Sequence, residues 1–248
     1  MASPSDDTTH FGFRDVPKTA KAGLVREVFD SVADSYDLMN DVMSLGVHRL
    51  WKKAFVHQAA PRGGETFLDL AGGTGDIAFA LGEAGAHVAV CDYNEQMLRQ
   101  GRKRAADRGL LAGPAWVAGD AQALPFPAAA MDGVTIAFGL RNVTEPAKAL
   151  GEIRRVLKPG GRFFCLEFSQ VAVPVLDRLY DLYSFEMLPR LGQWIAGDAQ
   201  SYRYLAESIR RFPAQDRLRD MMQAAGFGRA GYRNLSGGIA AIHWGWRT

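Results

Sequence analysis

A glycine-rich turn, Ala71-Gly72-Gly73-Thr74-Gly75, lies between an apolar run and a helical pattern. Residues 66–70 predict a short buried strand before the turn, and residues 76–81 predict the start of a helix after it. Such a junction brings unpaired backbone N–H groups and the positive end of a helix dipole to one point. Glycines also let a ligand approach the backbone closely. The stretch therefore predicts a site for a nucleotide-type ligand.

The spacing of the glycines narrows the kind of ligand. The dinucleotide fingerprint is Gly-x-Gly-x-x-Gly, whereas Asp69, Gly73 and Gly75 follow the pattern Asp-x-x-x-Gly-x-Gly. This pattern resembles the first motif of class I S-adenosylmethionine (SAM) methyltransferases. In those enzymes the turn fits a sulfonium amino acid instead of a pyrophosphate. The alternative is a tight strand-to-helix turn that binds no ligand.

Acidic residues follow the next two predicted strands. Residues 87–91 predict a strand, and Asp92 comes after it at about the spacing expected for the acidic residue that binds ribose hydroxyls. Residues 115–118 predict another strand, and Asp120 and Ala121 follow it where a carboxylate or the backbone could contact an adenine edge. Asp120 alone is also compatible with an Asx turn or a helix cap.

The elements that position these residues alternate between strands and helices. Further strands are predicted at residues 133–137, 162–167, 229–235 and 239–246. Thr144 is expected to cap the helix that precedes the second of these strands. We expect a Rossmann-like α/β fold of the class I methyltransferase type. Its mostly parallel, seven-stranded sheet would carry helices on both faces and end in an antiparallel hairpin.

Three segments fall outside this alternation, within what we expect to be one domain spanning residues 1–248. Residues 1–17 are polar and predict a flexible arm, except for an aromatic stretch at residues 9–14. Residues 18–62 carry helical apolar patterns and predict a helical lid. Residues 170–212 predict a helical insertion rich in aromatic residues, which either packs on the core or forms a wall for a hydrophobic substrate.

Two longer stretches point to a family. The runs Tyr36 to Trp51 and Arg155 to Ser169 are similar to the two signatures of the ubiquinone/menaquinone biosynthesis C-methyltransferases. Phe138 to Asn142 and Asp198 to Leu205 are also similar to that family, and the resemblance extends from about Phe11 to the C-terminus. It implies methyl transfer from SAM to a ring carbon of a polyprenylated benzoquinol or demethylmenaquinol.

The resemblance also implies which residues bind SAM. These are Thr74 in the turn, Asp92, and the pair Asp120 and Ala121. Members of the family often have Asn at position 120 and Ser at position 137, so Ala137 would offer only its backbone. The remaining candidates around SAM are Asp69, Gly73, Gly75 and Tyr36, the last as a residue that could close over the bound molecule.

For catalysis we expect ring contacts from Arg141 and Asn142, at the end of a predicted strand. Arg141 would stabilise an oxyanion or orient water, because a guanidinium stays charged; a structural clamp on a carboxylate is the alternative. His48 could shuttle a proton, although a lone histidine on an apolar helix is more often a packing residue. No His, Cys and carboxylate cluster has the spacing of metal ligands, and we expect no metal.

Composition limits the partners and the location. The net charge of +2 argues against nucleic acid as a partner, and the basic residues of the predicted helix 95–108 are expected to form a solvated outer face. Cys91 and Cys165 lie in apolar runs, which is typical of a reduced, cytoplasmic protein. No apolar run is long enough to span a membrane. We therefore expect a cytoplasmic enzyme that meets its prenylated substrate at the inner membrane surface, through residues 175–212.

Several alternatives stay open at this point. A SAM-dependent enzyme could act on another small molecule or on RNA, although a basic stripe for RNA is missing. A non-catalytic SAM-binding subunit of a quinone-pathway complex would share the same glycine turn. The sequence also leaves open a homodimer, the prenyl chain length and the choice between a benzoquinol and a naphthoquinol.

Overall fold

The chain folds around one large mixed β-sheet, preceded by a separate two-stranded hairpin. The structure is a computed structural model, and it describes residues 7–32, 41, 44, 46–110, 113–171 and 199–248. The strands are β1 (Thr8–Phe11), β2 (Arg14–Pro17), β3 (Thr66–Leu70), β4 (His87–Asp92), β5 (Ala115–Ala118), β6 (Met131–Ala137), β7 (Leu157–Phe168), β8 (Phe227–Leu235) and β9 (Ala240–Arg247).

The large sheet has seven strands in the order β5-β4-β3-β6-β7-β9-β8. Strands β3 to β7 pair in parallel, whereas β9 runs antiparallel to both β7 and β8. The predicted parallel sheet with its C-terminal hairpin is therefore confirmed. The chain first winds from β3 towards β5 and then returns to the other side of β3 with β6. This reversal opens a crevice at the carboxyl ends of the strands, where such sheets bind their ligands.

Most of the helices predicted from the sequence are present among the described residues. They are α1 (Lys18–Val32), α2 (His48–Ala59), α3 (Asp76–Glu83), α4 (Glu95–Asp107), α5 (Pro146–Val156), α6 (Ala199–Arg211) and α7 (Gln215–Ala224), with a short 3-10 helix at Leu140–Asn142. The predicted cap of α5 is wrong. Glu145, not Thr144, precedes this helix, and it makes no side-chain cap bond. Pro146 opens the helix and has no N–H to satisfy, which reduces the need for a cap.

Apolar clusters cover both faces of the sheet. One cluster includes Phe55 of α2 and Phe164 of β7, and the other includes Leu150 of α5, Phe163 of β7 and Leu218 of α7. The adjacent residues Phe163 and Phe164 fall in different clusters because successive side chains of a strand point to opposite faces. The helices on both faces, as predicted from the sequence, bury these two sets of side chains.

The N-terminal segment differs from the expected flexible arm. Residues 8–17 form the hairpin of β1 and β2. Phe11 is buried, and its ring stacks on Tyr204 of α6 with the centroids 4.2 Å apart. The polar composition of the segment concealed the effect of this aromatic residue. The stretch 9–14, which stood out in the sequence, is therefore what anchors the segment.

Most of the predicted helical insertion, residues 172–198, lies outside the described residues. The part that follows is α6, whose Tyr202, Tyr204 and Leu205 are buried in the core. For α6, packing on the core is therefore the interpretation that holds, and its apolar side is not available to a membrane. Among the helices that the structure describes, none combines the length and the apolar character needed to cross a bilayer.

We expect Gly133→Ala to lower the free energy of unfolding by about 1–3 kcal/mol, because overpacking a rigid core forces side chains out of place. A Cβ on this β6 residue would lie 2.3 Å from the Phe67 ring. Gly151→Ala is the matched control, since a Cβ in this α5 position meets nothing within 4 Å. It should raise the stability by about 0.5–1 kcal/mol. Urea denaturation measures both variants, and equal stabilities would contradict the packing described.

Candidate active site

Five of the predicted site residues line one cavity at the carboxyl ends of β3 to β6. We call it the main cavity, and its wall includes Gly73, Asp92, Asp120, Ala121 and Asn142. They lie at or after the ends of four strands, β3 to β6, which is how an open parallel sheet builds a site. Within the residues that the structure describes, no group of three or more His, Cys, Asp or Glu side chains could hold a metal ion.

Asp92, the last residue of β4, joins two loops of the main cavity. Its Oδ2 accepts a hydrogen bond from the Gly73 N–H, and its Oδ1 accepts one from the Asn94 N–H, both at 2.8 Å. Burial raises the pKa of Asp92, and these two N–H groups act in the opposite direction. Each carboxylate oxygen has a further lone pair, so Asp92 can also accept a hydrogen bond from a ligand hydroxyl.

Asp120 forms the Asx turn that the sequence left open. Its Oδ1 accepts a hydrogen bond from the Gln122 N–H at 2.8 Å, and the Gln122 side chain accepts one from the Glu145 N–H at 3.0 Å. Asp120 nevertheless lines the main cavity, together with Ala121. The structural and the binding interpretations are therefore compatible, since the turn fixes this carboxylate at the cavity wall.

The backbone around the glycine turn takes conformations that side chains disfavour. Gly75 has a φ of 87° and precedes α3, and a Cβ on it would lie 2.7 Å from Trp116. Gly73 has a φ of 54° and lines the main cavity. Ala71 and Phe138, with φ values of 50° and 58°, occupy the same left-handed region despite their side chains. Such strain is typical of functional sites.

A smaller cavity borders the main one, and Ala71 and Phe138 belong to the walls of both. We call it the side cavity. Three of the residues predicted to surround SAM line it, namely Asp69, Thr74 and Ala137. The predicted residues therefore divide between two adjoining spaces that lie along the glycine turn.

Two cations and one carboxylate flank the side cavity. Lys52 Nζ lies 2.8 Å from Asp76 Oδ2, and Arg104 Nη2 lies 2.8 Å from Asp76 Oδ1. Arg104 Nη1 also donates to Thr74 Oγ1 at 2.6 Å. Asp76 thus joins a lysine of α2 and an arginine of α4 beside the glycine turn.

Sequence reasoning missed this cluster because it treated α4 as a solvated basic face. Arg99 does lie on that face, with 74% of its side chain exposed, but Arg104 points inward. The signal was present in the helical spacing. Met97 and Gly101 of α4 are buried, and Arg104 follows them at intervals that place it on the same side of the helix.

Asp69 brings a buried carboxyl group to the side cavity. It is 1% exposed, and Thr135 Oγ1 donates to its Oδ1 at 2.9 Å. Its Oδ2 has no hydrogen-bond partner among the described residues. Burial raises the pKa of Asp69 to about 7. Near neutral pH this group can therefore exist in either protonation state, and Oδ2 is available to a ligand.

Helix α1 is attached to the loop that follows Asp92. The Arg26 guanidinium lies over the Tyr93 ring, 4.7 Å from its centroid, and the Asn94 Nδ2 group donates to Asp30 Oδ1 at 2.8 Å. Other residues of α1 line the main cavity directly. These contacts agree with the predicted lid for this helix, and its opening and closing stay a prediction.

Arg141 forms the carboxylate clamp that we considered as an alternative. Its Nη1 lies 3.0 Å from Glu167 Oε2, and its backbone N–H donates to Oε1 at 3.1 Å. Nη1 also donates to the Phe138 carbonyl at 2.6 Å. Burial raises the pKa of Glu167, and Arg141 opposes that rise. The guanidinium is thus held by β7 and is not part of the described wall of the main cavity; the ring contact that we expected of Arg141 stays a prediction.

Asn142, the neighbour of Arg141, does line the main cavity. Its Oδ1 accepts a hydrogen bond from the Tyr204 hydroxyl at 3.0 Å. Burial raises the pKa of Tyr204, so this hydroxyl stays a donor. Because Oδ1 is engaged in this way, the NH₂ group of Asn142 is the part that can donate to a ligand.

His48 is not part of the described walls of the main and side cavities. His48 begins α2, where its Nε2 lies 2.8 Å from Asp41 Oδ1, and it lines a surface cleft that shares Lys52 and Asp76 with the side cavity. Burial lowers the pKa of His48 even though Asp41 opposes the change. His48 is thus buried and bonded to Asp41, and its role as a proton shuttle stays a prediction. Tyr36 lies outside the described residues.

The sequence is similar to a known family of methyltransferases over almost its whole length. A model of the ubiE/COQ5 methyltransferase family matches residues 15–247. The ubiquinone/menaquinone biosynthesis C-methyltransferase UbiE of Roseobacter denitrificans (strain ATCC 33942 / OCh 114) is 55% identical over 249 residues, covering 100% of both chains. The protein of the same name from Acidiphilium cryptum (strain JF-5) is 56% identical over 248 residues, again covering 100% of both.

A solved structure shows the same fold at low sequence identity. It is a SAM-dependent methyltransferase of Thermotoga maritima, described as a possible histamine N-methyltransferase. The TM-score is 0.64 and the identity 20%, over 90% of this chain and 99% of that one. The similarity confirms the class I methyltransferase fold.

We expect Asp69→Asn to stabilise the unliganded protein at pH 8. The pKa of Asp69 is about 7 in the folded state and about 4 in the unfolded state. The folded state therefore binds this proton more tightly, and the associated stability is complete below pH 4 and is lost as the pH rises to 7. The amide of the variant does not titrate, so the variant should gain about 2–4 kcal/mol over the wild type between pH 4 and 8. Urea denaturation across this range tests it, and a pH-independent difference would contradict it.

Breaking the buried Arg141–Glu167 pair should cost far more than breaking a surface pair. We expect Glu167→Gln to destabilise the protein by about 3–5 kcal/mol, because it leaves a buried guanidinium uncompensated. Glu95→Gln removes the exposed pair with Arg99 and should cost less than about 1 kcal/mol. Thermal and urea unfolding measure both variants. A similar, small effect of the two substitutions would show that Glu167 does not clamp Arg141.

Proposed function

Because the chain belongs to the ubiE/COQ5 methyltransferase family, we propose that it methylates a ring carbon of a polyprenylated benzoquinol or demethylmenaquinol. The protein is a SAM-dependent C-methyltransferase of the class I fold. The names of its relatives refer to ubiquinone and menaquinone biosynthesis. A prenylated quinol is the substrate class that fits such a reaction.

The observation that carries this proposal is that one cavity combines a donor side with an acceptor side. Asp92 and Ala121, which follow β4 and β5, line the main cavity, and so do Asn142 and Val143, which follow β6. In-line methyl transfer needs both reactants in one continuous space, and such positioning can supply roughly 7–11 kcal/mol of the barrier. The main cavity meets this requirement.

The described residues fit SAM as the donor. Its ribose hydroxyls match the free lone pairs of Asp92, and its ammonium group matches the unpartnered Oδ2 of Asp69. Its carboxylate matches the ammonium group of Lys52, which lines the side cavity. We assign the adenosine end and the sulfonium to the main cavity, and the amino-acid end of the methionine to the side cavity.

Bound SAM supplies a methyl group on a sulfonium, which is a good leaving group. The chain must position a ring whose carbon becomes nucleophilic once a neighbouring hydroxyl has lost its proton. We propose that the NH₂ group of Asn142 donates to that ring oxygen. Arg141 stays a proposed second donor, because its buried Nε has no hydrogen-bond partner among the described residues. Glu167 offsets its charge, so this role is hydrogen bonding and not the action of a free cation.

The prenyl tail of such a substrate partitions into lipid, so we propose that the protein contacts a membrane surface. The segment to which the sequence assigned this contact, residues 175–212, is described only from residue 199 onward. There α6 is buried in the core. The proposed contact therefore falls on residues 175–198.

The decisive experiment is methyl transfer from labelled SAM by the purified full-length protein. Short-chain prenyl analogues of both quinol types are offered in reduced and in oxidised form. We expect a C-methylated product from the reduced rings only, because the oxidised rings have no hydroxyl to ionise. SAM binding is measured in parallel by calorimetry. Binding without turnover on any ring would indicate a non-catalytic subunit, and absence of binding would refute the proposal.

Two variants should separate the donor side from the acceptor side. Asp92→Asn should weaken SAM binding tenfold or more, about 1.4 kcal/mol, because an amide cannot accept hydrogen bonds at both positions. Asn142→Ala should keep the Kd for SAM within about twofold and lower kcat about tenfold or more. Arg99→Gln, on the exposed side of α4, is the control for both. Loss of SAM affinity in Asn142→Ala would contradict the assignment of Asn142 to the acceptor side and place it on the donor side.

A further inference from the structure

Lys21 of α1 is a buried cation to which the proposed function assigns no role. Its side chain is 1% exposed, and Nζ donates to the Val143 carbonyl at 3.1 Å. Among the described residues, no carboxylate forms an ion pair with it. Burial lowers the pKa of Lys21 to about 8. An ammonium group in such a place has a large desolvation penalty, so its presence requires an explanation.

The bond to Val143 places Lys21 at the acceptor side of the main cavity. Val143 directly follows the 3-10 turn Leu140–Asn142, and both Asn142 and Val143 line the cavity. Ala22, the next residue of α1, also lines it. Lys21 therefore lies just outside the cavity wall and is hydrogen-bonded to the segment that presents Asn142.

The other charged groups around this turn are compensated. The pairs are Arg141 with Glu167 of β7, Lys18 of α1 with Glu145, and Arg211 of α6 with Asp15 of β2. On β1, burial and then the charge of Lys21 lower the pKa of His10. On α6, burial raises the pKa of Tyr204, which stays neutral. Lys21 is thus the cation of this group that has no counter-charge among the described residues.

A purely structural role accounts for the hydrogen bond but not for the charge, since a neutral donor would also satisfy the Val143 carbonyl. We propose that Lys21 is a positioning residue for methyl transfer, which fixes the turn that carries Asn142 and places positive charge beside the acceptor ring. This inference rests on the proposed function. A nearby positive charge favours the ionised form of a ring hydroxyl, and that form makes the ring carbon nucleophilic.

The proton and electron balance requires no further reagent. The ring hydroxyl releases its proton to water and becomes an oxyanion. The ring carbon then forms the new C–C bond while the C–S bond breaks, and the electrons of that bond stay on sulfur. The hydrogen at the methylated carbon leaves as a proton to water when the ring becomes aromatic again as its oxyanion, which then takes up one proton from water. Lys21 stays protonated throughout and acts by its charge and its hydrogen bond.

Lys21→Met and Lys21→Arg in the full-length protein test this role. We expect Lys21→Met to retain SAM affinity and to lower kcat at pH 7 about tenfold. The apparent pKa at which kcat rises with pH should increase by about one unit. Lys21→Arg should recover most of the loss. The difference in kcat between the wild type and Lys21→Met should become smaller above pH 8, because Lys21 itself then loses its proton. Lys18→Met, on the same helix with its side chain 36% exposed, is the control.

Ionisation of the bound ring can also be measured directly. A short-chain prenyl nitrophenol that competes with the quinol reports its own ionisation by absorbance. In the wild type its pKa should fall by about one unit on binding. An unchanged pKa would overturn the role of Lys21 even if Lys21→Met does not fold. A normal kcat and pH profile in Lys21→Met would overturn it as well, whereas failure of the wild type to methylate any quinol would refute the proposed function instead.

Discussion

The hydrogen bond from the Gly73 N–H to Asp92 defines the geometry of this site. It ties the turn after β3 to the end of β4, and Asn94 extends the connection to Asp30 of α1. A buried carboxylate needs such donors, and N–H groups in a turn before a helix need an acceptor. This one interaction therefore satisfies both groups, and it helps to set the distance between the glycine turn and α1. The two cavities take their shape from this arrangement.

Cationic side chains lie on two sides of the site. Beside the glycine turn, Lys52 and Arg104 share Asp76, and the Lys52 ammonium group suits a ligand carboxylate. Beside Asn142, the pair of Arg141 and Glu167 is closed on itself, with both side chains buried. A buried pair of this kind contributes little net field, because its two charges cancel at a distance. Its main effect is to hold the backbone after β6 against β7.

Local sequence patterns predicted the strands and the residues that follow them, because short apolar runs, turn residues and the topology of parallel sheets are local properties. Asp92 and Asp120 were found for that reason. The partners of long side chains were not predictable in this way. Arg141 turns to Glu167 on a neighbouring strand, and Arg104 turns to Asp76 on another helix. The order of residues 8–17 likewise depends on a distant ring, that of Tyr204.

Ala71 and Phe138 meet where the two cavities adjoin, and both hold a left-handed backbone without being glycine. Each such residue stores roughly 1–3 kcal/mol of strain that the surrounding packing must offset. The side chains of these two residues limit the conformations that their backbone can adopt. The backbone between the two cavities therefore loses its conformational entropy during folding, before a ligand binds. Binding of SAM should then require little further ordering of the protein. The free energy of binding should depend on contacts with cavity walls that are already formed.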